Sequence, residues 1–289
     1  MTFPLSRDAI ETAFVAACHA ELHALKPGNV HVHSAGHGMD IHHFERAAAA
    51  AAPFIADPSL SVGARILGAV KASFAVAGLN TNLGIVLLTA PLAAAADAPA
   101  GPVNLRERLA AVLDRLDKAD ATAAFEAIVL ANPGGLGKAE SGDVKEAATI
   151  TLLEAMALAA DRDRIAKAYV TCFEDLFDLG LPELYAARRA ATNESMAITA
   201  LHMSYLAAFP DSHIARKHGL NVAEGIQKEA RDASALWHPA PTSDTWNPLL
   251  ALDKSLKDRG VNPGTTADLV VATLFADMLI HQSATNGPV

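Results

Sequence analysis

RDAIETAFVAACHAELHALKPG, residues 7–28, predicts an amphipathic helix that ends at an abrupt turn. Alanines recur near one face at helical spacing from Arg7 to Leu25. Pro27-Gly28 then stops the helix, because proline lacks a donor N–H and glycine accepts backbone conformations closed to other residues. The same helical period returns along most of the chain.

The rest of the sequence repeats this helix-and-turn pattern. A second helix is expected from the cap Asp40 through Ala52, and only residues 29–33 alternate like a strand. Further helical patterns lie at 61–77, 82–96, 103–117, 120–131, 144–160, 162–179, 182–208, 219–236, 247–258 and 265–284. With aromatic residues at 5%, an alanine-rich chain favours closely packed helices. The sequence therefore predicts an all-α fold, a single compact multi-helix domain over residues 1–289.

Charge and apolar patterning narrow the function classes. A net charge of −9 argues against a nucleic-acid partner, which needs a basic face, but it allows a small nucleotide substrate. The alanine-rich runs end before the ~18 apolar residues of a membrane span, and no secretory signal is recognised. We expect a cytoplasmic protein with no membrane partner, and its apolar helix faces are compatible with a homodimer.

The segment ELHALKPGNVHVHSAGHGMD, residues 21–40, gathers a cation, imidazoles, glycines and carboxylates directly after the first helix. Lys26 can neutralise a phosphate as a point charge, and Gly28 would let a ligand approach the backbone closely. His31 and His33 would face one side of an extended segment and could ligate a metal, or they could be ordinary hydrogen-bonded side chains. The mixture predicts a phosphate or metal–phosphate pocket.

Asn80 and Asn82 lie in a polar turn, residues 78–84, ahead of another helical pattern. One interpretation is a capped turn, since asparagine accepts hydrogen bonds from the first N–H groups of a helix. The other is a binding site in which the two amides hold a base or a ribose hydroxyl, because an amide offers a donor and an acceptor together.

A glycine-rich loop, residues 132–138 with Gly135 inside it, resembles a phosphate cradle at the start of a helical pattern. It is not a Walker loop, because its spacing differs and no strand precedes it. Glu140 and Asp143 lie three residues apart, so on a helix they would share a face and could hold Mg²⁺ against a triphosphate. An acidic helix start, favoured by the helix dipole, is the alternative.

Two polar blocks follow in the C-terminal half of the chain. The first, residues 211–219, contains Arg216 and Lys217, which suit phosphate, although a solvated charged turn would have the same composition. The second, residues 262–268, opens an apolar terminal helix and places Asp268 in its first turn. The helix dipole favours a carboxylate there, and the same position suits a metal ligand.

Taken in order, these blocks resemble the triphosphoribosyl-dephospho-CoA synthase family. The family features are a glutamate followed by a KPG turn, then G-A-H-x-D-M, N-T-H-K-G, a D-T/S-x-x-x-R block and a C-terminal P-G-x-[ST]-A-D-L. The corresponding segments of this chain are Glu21 with Lys26–Gly28, Gly36–Asp40, Asn80–Gly84, Asp211–Lys217 and Pro263–Leu269. The resemblance spans nearly the whole chain.

The resemblance implies an all-helical, Mg²⁺-dependent transferase that joins the ribosyl carbon of ATP to the ribose 2′-hydroxyl of dephospho-CoA, a coenzyme precursor, and releases adenine. It implies acid–base and electrostatic roles for Glu21, Asp40 and Asp143. Asp143 and Asp268 would lie near Mg²⁺. Substrate and phosphate binding would fall to Lys26, Gly28, His37, Asn80, Asn82, Gly135, Arg216 and Lys217.

Two departures from the family pattern leave the substrates open. Asn82 and Leu83 stand where the family has His-Lys, so a cation and an imidazole are lost, and the second block is shifted to Gly36-His37-Gly38-Met39-Asp40. Residues 134–143 and 211–219 are more similar to a divergent branch known from methanogens and methylotrophs. The alternatives are therefore biosynthesis of a one-carbon coenzyme, such as tetrahydromethanopterin or methylofuran, and a helical protein that binds a nucleotide or coenzyme without turnover.

Overall fold

A computed structural model describes residues 4–34, 41–98, 103–132 and 148–285, with side chains described as far as residue 283. Within these ranges the chain forms fifteen α-helices and one π-helical turn. No strand occurs in the described ranges, and the only extended pairing there is an isolated bridge between His31 and Ser34. The all-α prediction is confirmed.

The α-helices in chain order are α1 (Arg7–Leu22), α2 (Ile41–Ile55), α3 (Val62–Ala77), α4 (Leu83–Ala96), α5 (Leu105–Leu113), α6 (Lys118–Ala131), α7 (Leu152–Ala159), α8 (Arg164–Val170), α9 (Leu181–Ala190), α10 (Glu194–Ala208), α11 (Ser212–His218), α12 (Leu220–Asp232), α13 (Ser234–Trp237), α14 (Ser243–Asp258) and α15 (Gly264–Thr285). The π-helical turn, Asp175–Gly180, directly precedes α9.

Several helices begin where a polar side chain accepts one of the unpaired backbone N–H groups of the first turn. Four of them, α5, α6, α7 and α14, carry reciprocal capping boxes. In α5, for example, Asn104 accepts from the N–H of Glu107 at 3.0 Å, and Glu107 accepts from the N–H of Asn104 at 2.9 Å. These local bonds fix helix starts that the apolar pattern alone locates less sharply.

Two long predicted helices are interrupted in the structure. The pattern over 162–179 becomes α8 and a π-helical turn, because Cys172 and Phe173 adopt positive φ angles of 49° and 56°. The pattern over 182–208 divides at Ala191, which is extended, and restarts at the cap Asn193. Apolar period continues through both breaks, so it cannot reveal them.

By its internal packing the chain divides into two compact units. The first takes in the described residues of 1–17, 43–174 and 274–289, and the second takes in those of 18–42 and 175–273. Helices α1 and α15 each contribute residues to both units. The assignment of residues 1–289 to one domain stays a prediction.

The first unit is held together by close helix packing and by buried polar anchors. A Cβ atom on Gly63 of α3 would lie 2.4 Å from the Cα of Asp120 in α6, so the two backbones approach as closely as glycine allows. The Asp120 carboxylate accepts from the Ser61 hydroxyl and the Gly63 N–H, both at 2.7 Å. Buried Arg65 donates to the Ile55 carbonyl at 2.9 Å.

The second unit packs α10 against α9 and α12 over an apolar core. Met203 and Leu206 of α10 belong to the same buried apolar cluster as Leu249 and Leu256 of α14. Leu25, from the turn after α1, is completely buried in the same cluster. The core therefore fixes the turn that carries the densest group of polar residues.

Helix α15 is long and apolar enough, over Gly264–Ser283, to cross a membrane by length and composition alone. Most of that stretch is buried inside the protein. Burial of this kind is what a core helix of a globular protein shows.

Candidate active site

The Lys26-Pro27-Gly28 turn is fixed by backbone geometry and by two distant parts of the second unit. Gly28 has φ of +87°, and a Cβ atom there would lie 2.9 Å from the Cδ of Pro263. Its N–H donates to Asp253 Oδ1 at 2.9 Å. Only glycine fits this position without strain, and the turn is therefore held directly against the start of the C-terminal block.

Lys26 and Glu21 form an ion pair inside the protein. The Lys26 ammonium donates to Glu21 Oε1 and, at 3.1 Å, to Asn29 Oδ1. Lys26 is completely buried and Glu21 is 4% exposed. Asn29 in turn donates to Asn262 Oδ1 at 2.7 Å. Residues from the end of α1 and from the approach to α15 thus share one hydrogen-bonded network.

Burial and pairing act in opposite directions on this ion pair. Burial raises the pKa of the Glu21 carboxyl, while the Lys26 charge and its hydrogen bond lower it. Burial likewise lowers the pKa of the Lys26 ammonium. The negative charge of Glu21 and, more weakly, that of Asp268 raise this pKa. Removing either partner alone would leave an uncompensated charge in a dry environment, which is strongly unfavourable.

Beside this pair, Asp253 of α14 gathers three donors. Besides the Gly28 N–H, its carboxylate lies 3.3 Å from His31 Nε2 and 3.0 Å from Lys257 Nζ. Burial raises the pKa of Asp253, but the hydrogen bonds from His31, Gly28 and Lys257 bring it below its usual value. Asp253 therefore remains a carboxylate that orders the segment after the turn.

His202 of α10 is a completely buried imidazole next to the same turn. Burial, reinforced by the nearby charge of Lys26, lowers the pKa of His202 to about 3. At neutral pH the ring therefore carries no charge, and it adds a polar but neutral wall to the cluster.

Asp211 joins the last two family blocks. Its carboxylate accepts from the Ile214 N–H at 2.9 Å, which caps α11, and from the Thr266 N–H at 2.7 Å and hydroxyl at 2.8 Å, at the start of α15. The side chain is fully buried, and burial raises its pKa against these hydrogen bonds. Asp211 holds two helix starts together.

The structure brings some of the predicted site residues together in the second unit. Glu21, Lys26 and Gly28 lie in the network just described, and Asp268 is close enough to act on the Lys26 charge. Arg216 and Lys217 lie in the last turn of α11, at the opposite end from Asp211. His37, Asp40, Gly135 and Asp143 lie outside the described residues. The roles predicted for all these residues stay predictions.

Asn80 and Asn82 belong to the first unit and line a small pocket with Ser73, Phe74 and Thr81. Asn80 accepts from the Leu83 N–H at 3.2 Å, as a capping residue does. The buried Asn82 amide donates to Ser73 Oγ at 2.9 Å. Capping thus accounts for the hydrogen bond of Asn80, whereas the Asn82 side chain makes no capping bond to α4 and instead bonds to Ser73. The predicted role of both residues in substrate binding stays a prediction.

Metal binding has limited support among the described residues. They contain no group of three or more His, Cys, Asp or Glu side chains arranged to hold a metal ion. Both ring nitrogens of His31 already face protein groups, with Nδ1 accepting from the His33 N–H at 3.2 Å. His31 is therefore a structural histidine here, and His33 instead meets Trp246 edge-on at 5.4 Å between ring centroids.

Sequence reasoning missed Asn29, His202, Asp253, Lys257 and Asn262. The i, i+4 spacing of Asp253 and Lys257 resembles an ordinary solvated helix pair, and a single histidine in an apolar helix carries no signal of its own. Asn29 and Asn262 each adjoin a family block, and that adjacency was the one available signal.

Comparisons with known proteins identify the family of the chain. A sequence model of the family CitG, ATP:dephospho-CoA triphosphoribosyl transferase, matches residues 7–286. A crystal structure from Archaeoglobus fulgidus, whose name assigns it to triphosphoribosyl-dephospho-CoA synthase, is 29% identical with a TM-score of 0.62. That match covers 80% of this chain and 95% of the other. No curated protein matches the chain.

The helical fold and these two comparisons together identify an all-α transferase. More specifically, the chain belongs to the ATP:dephospho-CoA triphosphoribosyl transferase family. The family resemblance and the enzyme class predicted from the sequence are confirmed. Both comparisons also support the predicted reaction, transfer of a phosphoribosyl group to an acceptor such as dephospho-CoA.

Proposed function

We propose that this protein transfers the triphosphoribosyl group of ATP to a hydroxyl group of dephospho-CoA and releases adenine. Beyond family membership, one observation carries the proposal. Three family blocks, those of Glu21, Asp211 and Pro263, meet in the second unit through the hydrogen bonds and packing of the turn and of α15. Such convergence of distant polar blocks is typical of a catalytic site.

The proposed reaction makes one bond and breaks one bond. The acceptor oxygen bonds to C1′ of the ATP ribose, the bond from C1′ to adenine N9 breaks, and the proton lost by the acceptor is balanced by one gained by adenine. Positive charge builds on the sugar as N9 leaves, and a carboxylate in a dry site stabilises it. Glu21 is the best-placed described carboxylate, and its raised pKa also suits proton transfer.

Lys26 would act on this chemistry through Glu21. Its ammonium bonds to Glu21 and Asn29 and is completely buried, so it fixes the carboxylate oxygen that it contacts. A direct contact between Lys26 and a phosphate, as predicted from the sequence, would require exchange of one of these partners. We therefore assign Lys26 chiefly to the orientation and charge balance of Glu21.

Mg²⁺ could bind at this site together with the phosphates of the substrate. Mg²⁺ commonly uses one or two carboxylates together with substrate phosphates and water, so the lack of a larger cluster among the described residues is compatible with it. Asp268, which lies just beyond the first turn of α15 and not in it as predicted, is within electrostatic range of Lys26 and would hold the ion. Bound Mg²⁺ would neutralise the triphosphate charge.

The direct test is incubation of the purified protein with ATP, Mg²⁺ and dephospho-CoA. We expect free adenine by liquid chromatography and a product whose mass equals ATP plus dephospho-CoA minus adenine. Glu21→Gln should lower the rate by about 10²–10⁴-fold, the usual contribution of an acid–base group. Glu224→Gln, at an exposed position of α12, is the matched control. The proposal would be overturned if no acceptor led to the release of adenine.

A different acceptor or donor is the second candidate. Where the family has His-Lys, the Asn82 amide is bound to Ser73 and Leu83 is 8% exposed, so neither residue supplies a cation. This observation favours a changed donor or acceptor. The resemblance to the divergent branch suggests, as acceptor, a one-carbon coenzyme precursor of the tetrahydromethanopterin or methylofuran type. Adenine release with such a precursor, but not with dephospho-CoA, would establish it.

A binding protein without turnover would give a different result. It would bind ATP in a calorimeter, keep that binding in Asp143→Asn, and form no product detectable by mass spectrometry. Any adenine release by the wild-type protein that is lost in Glu21→Gln rejects this alternative.

A further inference from the structure

Lys257 is the more accessible of two ammonium groups near the Lys26-Pro27-Gly28 turn. Its side chain is 11% exposed, compared with 1% for Lys26. The two charges are close enough for Lys257 to lower the pKa of Lys26. Lys26 is closed off from solvent, so any anion that approaches this cluster meets Lys257 first.

Hydrogen bonding fixes the tautomer of the histidine beside Lys257. His31 Nδ1 accepts from the His33 N–H at 3.2 Å, so it carries no proton. Nε2 must then carry the proton of the neutral ring, and it donates to Asp253 Oδ1 at 3.3 Å. The opposite tautomer would set Nδ1–H against the N–H of His33 and an unprotonated Nε2 against a carboxylate.

This tautomer leaves the ammonium of Lys257 with capacity for a ligand. Two of its three N–H groups are used, by Asp253 Oδ2 and by the Ser34 carbonyl, both at 3.0 Å. His31 Nε2 lies 3.2 Å from Nζ but is itself a donor, so it cannot accept the third. Among the described residues no other acceptor bonds to Lys257 Nζ. A strong anionic acceptor would satisfy this donor.

We propose that Lys257 binds a phosphate oxygen of the polyphosphate chain of a nucleotide substrate. Asp253 and neutral His31 hold the ammonium in place over the turn. Because His31 Nε2 carries a proton, it cannot accept the third N–H of Lys257. The identity of the substrate rests on the proposed function, whereas binding of a polyphosphate does not. Two sources share this chemistry, namely the triphosphate of ATP and the diphosphate of dephospho-CoA.

Calorimetric titration separates these sources. Inorganic tripolyphosphate, ATP and dephospho-CoA are titrated in turn into the wild-type protein and into Lys257→Met. We expect the variant to bind tripolyphosphate about tenfold more weakly, because losing a hydrogen bond to a charged group usually weakens affinity by about this factor. The nucleotide whose affinity falls by a similar factor is the one that Lys257 contacts. Lys254→Met is the matched control, because Lys254 forms an exposed pair with Asp258 on the same helix.

A second variant protects the test against misfolding. Lys257→Gln keeps donors toward Asp253 and Ser34 without the positive charge, and it should lose affinity as Lys257→Met does, with an unchanged circular dichroism spectrum. The proposal is overturned if the wild-type protein binds no polyphosphate, or if Lys257→Gln binds all three ligands as tightly as the wild type. If adenine release fails while polyphosphate affinity depends on Lys257, the proposed function falls and this inference stands.

Discussion

Single residues of the candidate site work in pairs, because each buried charge needs a nearby opposite charge. Glu21 and Lys26 are both closed off from water, and the desolvation cost of each is offset mainly by the other. Asp253 and Lys257 repeat the arrangement nearer the surface. The energetics of the site should therefore depend on which partner is removed and whether its counterpart remains.

Glu21→Gln and Lys26→Met should each destabilise the protein by about 3–5 kcal/mol, because each leaves an unpaired buried charge. The double variant should lose far less than the sum, since it removes both charges together. Urea unfolding followed by circular dichroism measures all three values. Additive losses would show that the two side chains are not energetically coupled.

The burial of His202 should make the free energy of unfolding depend on pH. Its pKa is lowered to about 3 in the folded protein, compared with 6.5 for an ordinary histidine. Below pH 6.5 the unfolded chain takes up a proton that the folded chain refuses, so stability is present in full above pH 6.5 and falls toward pH 3. The loss from this residue is about 1.4 kcal/mol per pH unit.

Urea unfolding at several pH values between 7 and 4 measures this slope. His202→Gln should have a shallower dependence than the wild type by about one proton. Equal slopes for the two proteins would mean that His202 titrates in the folded state as it does in the unfolded one.

Among the helices, α14 contributes Asp253 and Lys257 to the candidate site, and the sequence alone does not reveal their role. The helix has two pairs at the same spacing, Asp253 with Lys257 and Lys254 with Asp258. The first pair is nearly buried because it packs on the Gly28 turn, whereas the second is exposed. Spacing within one helix cannot distinguish them, because the difference comes from a segment 225 residues away.

The Gly28 turn should tolerate no side chain. Gly28→Ala combines a left-handed backbone with contacts of 2.9 Å to Pro263 and 3.1 Å to Leu256, so it should cost about 2–4 kcal/mol. Gly260 has a similar φ of +70° but open space around its Cβ position. Gly260→Ala should therefore cost only about 1–2 kcal/mol.

Thermal and urea unfolding of both alanine variants, with adenine release as a second readout, check this difference. Equal losses for the two variants would show that backbone conformation alone, and not packing against Pro263, selects glycine at position 28.

For the molecule as a whole, the helical fold class and the family can be predicted from the sequence, but the candidate site can be predicted only in part. Alanine content and helical period predict the all-α fold, because close helix packing needs only small apolar faces. They do not predict the break at Cys172 and Phe173, where a local backbone conformation overrides the period. Family motifs located Glu21 and Gly28, but Asp253 and His202 become visible only when the folded chain brings them to the turn.

Substrate binding should stabilise the whole protein. A ligand that binds only the folded state at 100 times its dissociation constant adds about 2.7 kcal/mol to the free energy of unfolding. We therefore expect ATP with Mg²⁺ to raise the melting temperature in a thermal shift assay, and adenosine to raise it much less. An equal shift from adenosine would contradict phosphate recognition. Light scattering on the same samples distinguishes a 30.1 kDa monomer from a homodimer, with which the apolar helix faces are compatible.

The hydrogen bond between Gly28 and Asp253 spans 225 residues, and this has a consequence for synthesis of the chain. At about 5–20 residues per second, the ribosome needs about 10–45 s to reach the partner of the turn after making the turn itself. Until then the surroundings of Glu21 and Lys26 lack α14, and we expect both side chains to stay hydrated. The second unit is thus completed late, and nascent chains arrested before α14 should leave the Lys26 turn open to proteases.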